Sequence, residues 1–89
     1  MTVRYDPALL KRLKKINVIF RKSFKKRIKI FAKDPFNAQL NNHSLQREWL
    51  GYRSINITND VRAIYTEKTE GEDTVAFFVA VGTHKELYG

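Results

Sequence analysis

An α+β fold follows from three features of the sequence. Apolar residues recur at helical spacing in the first third, apolar and polar residues alternate in the second half, and short polar turns join the alternating segments. Helices gathered at one end of a chain and a meander at the other pack as two layers. The expected architecture is two N-terminal helices on one face of a twisted antiparallel sheet whose other face is open. The 89 residues suffice for one core, so residues 1–89 are read as one domain. A hydrophobic share of 43%, with 12% aromatic, lets that core form rather than leaving the chain disordered.

Thr2 to Tyr5 alternates and suits a short edge strand. Asp6-Pro7 is a helix start, an N-cap acceptor followed by proline at the first helical position. Leu9, Leu10, Leu13 and Ile16 then repeat at helical spacing. Asn17 caps a second helix with the apolar stripe Phe20, Phe24, Ile28 and Phe31. That helix ends near Lys33, because Asp34-Pro35 disfavours continuation. Phe36 to Ser44 is a polar connector. From Trp49 to Ile57 the period is two, with Arg53, Ile55 and Ile57 opposite Tyr52, Ser54 and Asn56. Thr58-Asn59-Asp60 turns the chain into a strand from Val61 to Glu67, which sets Val61, Ala63 and Tyr65 opposite Arg62, Ile64 and Thr66. Glu70-Gly71-Glu72-Asp73 is a second turn, and Thr74 to Val81 is the most apolar strand.

Composition narrows the function classes. With no cysteine there is neither a disulfide framework nor a thiolate metal site, and the two histidines show no metal-ligand spacing. No metal and no other cofactor is expected. The first residues lack the apolar stretch of a signal peptide, and the run Val75 to Val81 is too short to span a bilayer, so a cytoplasmic protein without a membrane partner is expected.

The net charge of +8 is unevenly spread. Between Asp6 and Asp34 no acidic residue interrupts Lys11, Arg12, Lys14, Lys15, Arg21, Lys22, Lys25, Lys26, Arg27, Lys29 and Lys33. From Pro35 onward the chain is slightly acidic. Such a block attracts phosphate backbones or an acidic protein partner, with strong salt dependence. At the other end the last strand runs into Gly82-Thr83-His84. Histidine is the side chain best suited to proton transfer near neutral pH. A cationic surface beside such a residue points to chemistry on a polyanion, and RNA carries its own nucleophile in the 2′-hydroxyl.

Four segments carry a family resemblance: His43-Ser44-Leu45-Gln46, Trp49-Leu50-Gly51-Tyr52-Arg53, Asp60-Val61-Arg62-Ala63-Ile64-Tyr65 and Gly82-Thr83-His84-Lys85-Glu86-Leu87-Tyr88. In order and spacing they resemble the RelE superfamily of bacterial toxins, its YafQ branch most of all, over roughly Phe31 to the C-terminus. The resemblance implies an endoribonuclease that cuts messenger RNA in the ribosomal A site and is held inactive by a cognate antitoxin. It places His84 at the catalytic C-terminal histidine, His43 and Asp60 at a histidine and an aspartate of the YafQ site, and Tyr88 at an aromatic site position. Arg62 resembles the strand arginine that RelE and YoeB use on the scissile phosphate. Two positions depart from the pattern: Asn56 replaces a histidine and Ala80 an arginine.

Cleavage by 2′-hydroxyl attack needs a base, a cation on the phosphate oxygens and an acid for the departing 5′-oxygen, and no metal. His84 is assigned as acid, Asp60 or His43 as base, Arg62 as phosphate ligand and Tyr88 as a stacking or proton-transfer group. Arg47, Arg53, Lys25, Lys26 and Lys29 are assigned to RNA binding. The implied partners are the ribosome with its messenger RNA and an antitoxin with acidic, amphipathic segments. Two rival readings stand beside this one: a ParE-like inhibitor of DNA gyrase, and a non-catalytic module that binds RNA or the ribosome.

Overall fold

The computed structural model describes residues 1–89. Its elements in chain order are β1 (Thr2–Tyr5), α1 (Pro7–Lys15), α2 (Val18–Lys33), β2 (His43–Ser44), β3 (Arg53–Asn56), β4 (Val61–Glu70), β5 (Asp73–Thr83) and α3 (His84–Tyr88). Single 3₁₀ turns lie at Ala38–Leu40 and Arg47–Trp49.

Both long helices begin at the expected caps. Asp6 Oδ1 accepts from the Ala8 N–H at 2.8 Å, and Asn17 Oδ1 accepts from the Ile19 N–H at 2.8 Å. Each cap satisfies an N–H that the first helical turn leaves without a partner, worth about 1 kcal/mol. Of the α1 stripe, Leu9 and Leu13 are buried whereas Leu10 is exposed; of the α2 stripe, Phe24 and Phe31 are buried whereas Phe20 is exposed. Both helices therefore carry more apolar surface than the sheet covers.

The sheet has the order β1-β5-β4-β3-β2. Strands β2 to β5 are antiparallel neighbours, as their short connections require, whereas β1 adds parallel to β5 with Thr2 opposite Val75. The sheet is thus mixed rather than antiparallel throughout: β1 and β5 are far apart in sequence, joined through α1, α2 and β2 to β4, and so long a connection allows the parallel pairing that a hairpin cannot. Between α2 and the sheet lies an aromatic cluster: Phe31 meets Tyr65 and Phe78 edge-on at 4.9 and 5.3 Å between ring centroids. Ile55, Ile57, Val61 and Ala63 complete this face. They are the inward halves of the alternating segments read from the sequence.

The opposite face is closed at one end rather than open. Thr66 Oγ1 donates to the Gly51 carbonyl at 3.0 Å, and Trp49 Nε1 donates to the Leu87 carbonyl at 3.1 Å. These bonds lay the segment before β3, together with α3, over the second face of β4. Ile64, which shares that face with Arg62, is fully buried as a result. Trp49, read from the sequence as the start of a strand, belongs instead to the 3₁₀ turn.

Candidate functional site

Directly opposed residues of antiparallel strands point to the same side of the sheet. On the second face, His43 of β2 opposes Ser54 of β3, and Ser54 opposes Ile64 of β4. The next row sets Asn56 opposite Arg62, and Arg62 opposite Gly82. A bulge lies here: Ile64 pairs with Ala80 but Tyr65 with Phe78, so Val79 is an extra residue on β5. Such a bulge bends the strand and re-aims the chain beyond it. Here the chain beyond it leads into α3, which opens with His84.

Because α3 turns back over this face, His43, Leu45, Ser54, Arg62, His84 and Tyr88 line one cavity of about 200 Å³. His84 and Tyr88, one helical turn apart, pack their rings edge-to-face at 4.7 Å between centroids. His43 Nδ1 lies 2.9 Å from the Asn41 carbonyl. A carbonyl oxygen only accepts, so in the neutral ring Nδ1 carries the proton and Nε2 keeps its lone pair. Asn41 adopts the left-handed region at φ 45°, an uncommon conformation for a residue other than glycine.

Arg62 is half-buried, and its guanidinium donates to the carbonyls of Thr58, Val61 and Asn59 at 2.9, 3.2 and 3.0 Å. All three partners are neutral. The ion pairs of the molecule, Arg4–Glu70 and Arg12–Glu86, lie elsewhere, so no carboxylate offsets the Arg62 charge. Three buried polar atoms on this side also lack a partner: Ser54 Oγ, Asn56 Oδ1 and Tyr88 Oη. Buried polar groups in native proteins are almost always satisfied, and each exception asks for a cause. A cavity with an uncompensated guanidinium, two imidazoles and unpaired hydroxyls suits a polar anionic ligand. No group of three or more potential metal ligands converges anywhere.

Of the residues expected from the sequence, His43, Arg62, His84 and Tyr88 come together. Asp60 does not line the cavity; it is exposed in the β3–β4 connection, whose carbonyls hold Arg62. Arg53 is occupied elsewhere, with Nε donating to Asn42 Oδ1 at 2.8 Å and the guanidinium 5.2 Å over the Phe36 ring. Arg47 is exposed in the 3₁₀ turn at φ 57°, and Lys25, Lys26 and Lys29 are exposed on α2, away from this cavity.

Ser54 is a lining residue without a signal of its own in the sequence, since an alternating serine in a strand looks like ordinary surface. Helix α3 is likewise absent from the expected elements, although Thr83-His84-Lys85-Glu86 spells a capping box. Thr83 Oγ1 accepts from the Glu86 N–H at 3.2 Å, and Glu86 Oε1 accepts from the Thr83 N–H at 2.8 Å. That N–H, and then the Arg12 guanidinium, hold the Glu86 carboxyl below its ordinary value.

Residues 4–89 match the family model described as a bacterial toxin of type II toxin-antitoxin system, YafQ. Among curated proteins nothing matches. Among solved structures the chain is similar to YafQ from E. coli strain BL21(DE3), with 23% identity, a TM-score of 0.77, and coverage of 98% of this chain and 97% of that one. It is similar to a chain of the E. coli DinJ–YafQ complex, with 25% identity, a TM-score of 0.64, and coverage of 98% and 97%. A chain of the archaeal RelE–RelB complex from Pyrococcus horikoshii OT3 shares 15% identity and a TM-score of 0.69, with coverage of 92% of each chain.

Proposed function

Since this chain belongs to the YafQ family of bacterial type II toxins, we propose that it cuts messenger RNA on the ribosome through the cavity between β2, β3, β4 and α3. The observation that carries this reading is the convergence there of His43, His84 and Tyr88 on an Arg62 guanidinium with no carboxylate partner. A half-buried cation without a counter-ion attracts an anion, and a guanidinium binds phosphate oxygens bidentately.

In the proposed reaction His43 Nε2 takes the proton of the 2′-hydroxyl. The 2′-oxygen attacks the adjacent phosphorus, the bond from phosphorus to the 5′-oxygen breaks, and His84 protonates the departing oxygen. The products are a 2′,3′-cyclic phosphate and a 5′-hydroxyl. Arg62 holds the charge that develops on the phosphate oxygens. His43 is preferred to Asp60 as base because its tautomer is fixed by Asn41 and it lines the cavity. Tyr88 supplies a hydroxyl and a ring face against which a base can stack. Each proton-transfer group contributes about 10²–10⁴-fold to the rate. Arg62 also supplies the cation that Ala80 cannot.

The whole of residues 1–89 is read as one cytoplasmic toxin domain; no helix is long and apolar enough to cross a membrane. Its antitoxin presents acidic and amphipathic segments to the basic helices. Between α1 and α2 a groove floored by Tyr5, Leu13 and Phe24 carries Lys14, Arg21 and Lys25 beside the exposed Leu10, which fits such a segment. Lys25, Lys26, Lys29, Arg47 and Arg53 then serve ribosome or antitoxin docking at a distance from the cut.

Primer extension on messages from a cell-free translation reaction tests this reading. Discrete cuts with wild type, lost with His84→Gln and absent without ribosomes, are expected. Translation that proceeds uncut beside folded wild-type protein would refute it. Inhibited supercoiling would then select the gyrase reading, and ribosome binding without cuts the non-catalytic one.

A further inference from the structure

We propose that Arg12 and Glu86 act as positioning residues, a clamp through which α1 fixes the helix that carries His84 and Tyr88. The proposal rests on the reading of His84 as the acid. Arg12 lies in the last turn of α1, outside the cavity. Its Nε donates to the Val81 carbonyl at 2.8 Å, and its Nη2 donates to Glu86 Oε2 at 2.7 Å. One guanidinium thus bridges the end of β5 and the middle of α3. The other oxygen of Glu86 accepts from the Thr83 N–H, the residue just before His84. Gly82 leaves room for the arrangement: a Cβ there would stand 3.1 Å from Glu86 Oε1 and 3.5 Å from Arg12 Nη2.

Two facts give the clamp a positioning role. Helix α3 has five residues, far fewer than a helix needs to hold itself together in water, so its direction is set by what grips it. The grips are Arg12 through Glu86 at its middle and Trp49 at the Leu87 carbonyl near its end. The Arg12–Glu86 pair is also about half exposed, at 48% and 49%, so it contributes little to global stability. A forked donor joining two separate acceptors fixes geometry, which a lysine cannot reproduce. Of the cations between Asp6 and Asp34, Arg12 has an acidic partner; the others have none.

Single-turnover cleavage on programmed ribosomes, with rate and apparent KM measured separately, tests the clamp. Arg12→Ala and Glu86→Ala are expected to lower the maximal rate by about ten- to a hundred-fold, as small misplacements of a catalytic group do, with little change in KM. Arg12→Lys should fall between wild type and Arg12→Ala. Glu86→Gln keeps the cap on Thr83 and loses the acceptor for Arg12, so it should slow the reaction without lowering Tm. The sign for Glu86 is diagnostic. Were Arg12 simply a phosphate contact, removing the neighbouring acid would tighten RNA binding and leave the rate intact or higher, and that result would overturn the proposal. So would an equal loss from Arg12→Ala in the wild-type and the His84→Gln backgrounds. If wild type cuts nothing, the nuclease reading fails and the clamp is decided by NMR instead. A changed position of His84 and Tyr88 against β3 and β4 in Arg12→Ala supports it, and an unchanged position refutes it.

Discussion

The two faces of the sheet are built on opposite terms. On the α2 side Phe31, Tyr65 and Phe78 are fully or almost fully buried, and the one hydroxyl among them accepts a hydrogen bond from Asn42 Nδ2 at 2.7 Å. On the α3 side the buried hydroxyls of Ser54 and Tyr88 and the amide oxygen of Asn56 have no partner. The first face spends its residues on packing density. On the second, three buried polar atoms have no protein partner, an arrangement that asks for a cause. Stability and activity should therefore separate by face, and the sharpest experiments mutate one face and read both properties.

The largest effect is expected from Phe31→Ala, which empties the centre of the aromatic cluster. Large-to-small changes of this kind cost about 3–5 kcal/mol. In a chain of this size that lowers Tm by about 12 °C or more in a thermal melt followed by circular dichroism. A smaller loss would mean that the α2 face is not the stabilising one.

Ser54→Ala and Tyr88→Phe should move the two properties in opposite directions. Each removes a buried hydroxyl that lacks a partner, and leaving such a group unsatisfied costs about 1–3 kcal/mol. Tm is expected to stay level or rise by a few degrees while cleavage slows. If both variants melt well below wild type, these hydroxyls stabilise the fold and the contrast between faces fails.

Replacing Lys25, Lys26 and Lys29 together by alanine tests whether the exposed cations of α2 act only at long range. Ribosome affinity should fall with a shallower dependence on salt, by about one unit of slope per lost contact, while the rate at saturation is kept. A loss of rate at saturation would place these lysines in the chemistry.

The smallest effect is a pH dependence. The Glu86 carboxyl is held below its ordinary value of 4.5 by the Thr83 N–H and then by Arg12. For a carboxyl with a lowered folded value, the contribution is present above the unfolded value and lost as pH falls through the folded one. The α3 resonances should thus remain native at pH 4.5 and broaden only below it, in NMR spectra recorded against pH. Glu86→Gln should abolish that acid transition.

Local signals with their own chemistry were legible in the sequence. Asp6-Pro7 and Asn17 cap where expected because capping is decided within a single turn. The period-two segments separated the two faces of β3 and β4, and the family resemblance pointed to His43, Asp60, Arg62, His84 and Tyr88, of which all but Asp60 line one cavity. The features that escaped depend on tertiary contact. Leu10 and Phe20 fit the helical stripes yet lie outside the core, since periodicity fixes a face but not how much of it is covered. Ser54 becomes a buried lining residue only in the assembled sheet, between His43 and Ile64 and beside His84 and Tyr88 in one cavity. Helix α3 is too short for a period to be seen, and Arg12 finds Glu86 across 74 positions of sequence.

The measurement that bears most directly on the central claim is the single-turnover rate of message cleavage on programmed ribosomes, for wild type and His84→Gln matched for Tm. Placing the chemistry at the α3 cavity predicts a loss of about 10²–10⁴-fold with an unchanged melting curve. An unchanged rate in His84→Gln would contradict it and move the chemistry to another part of the molecule.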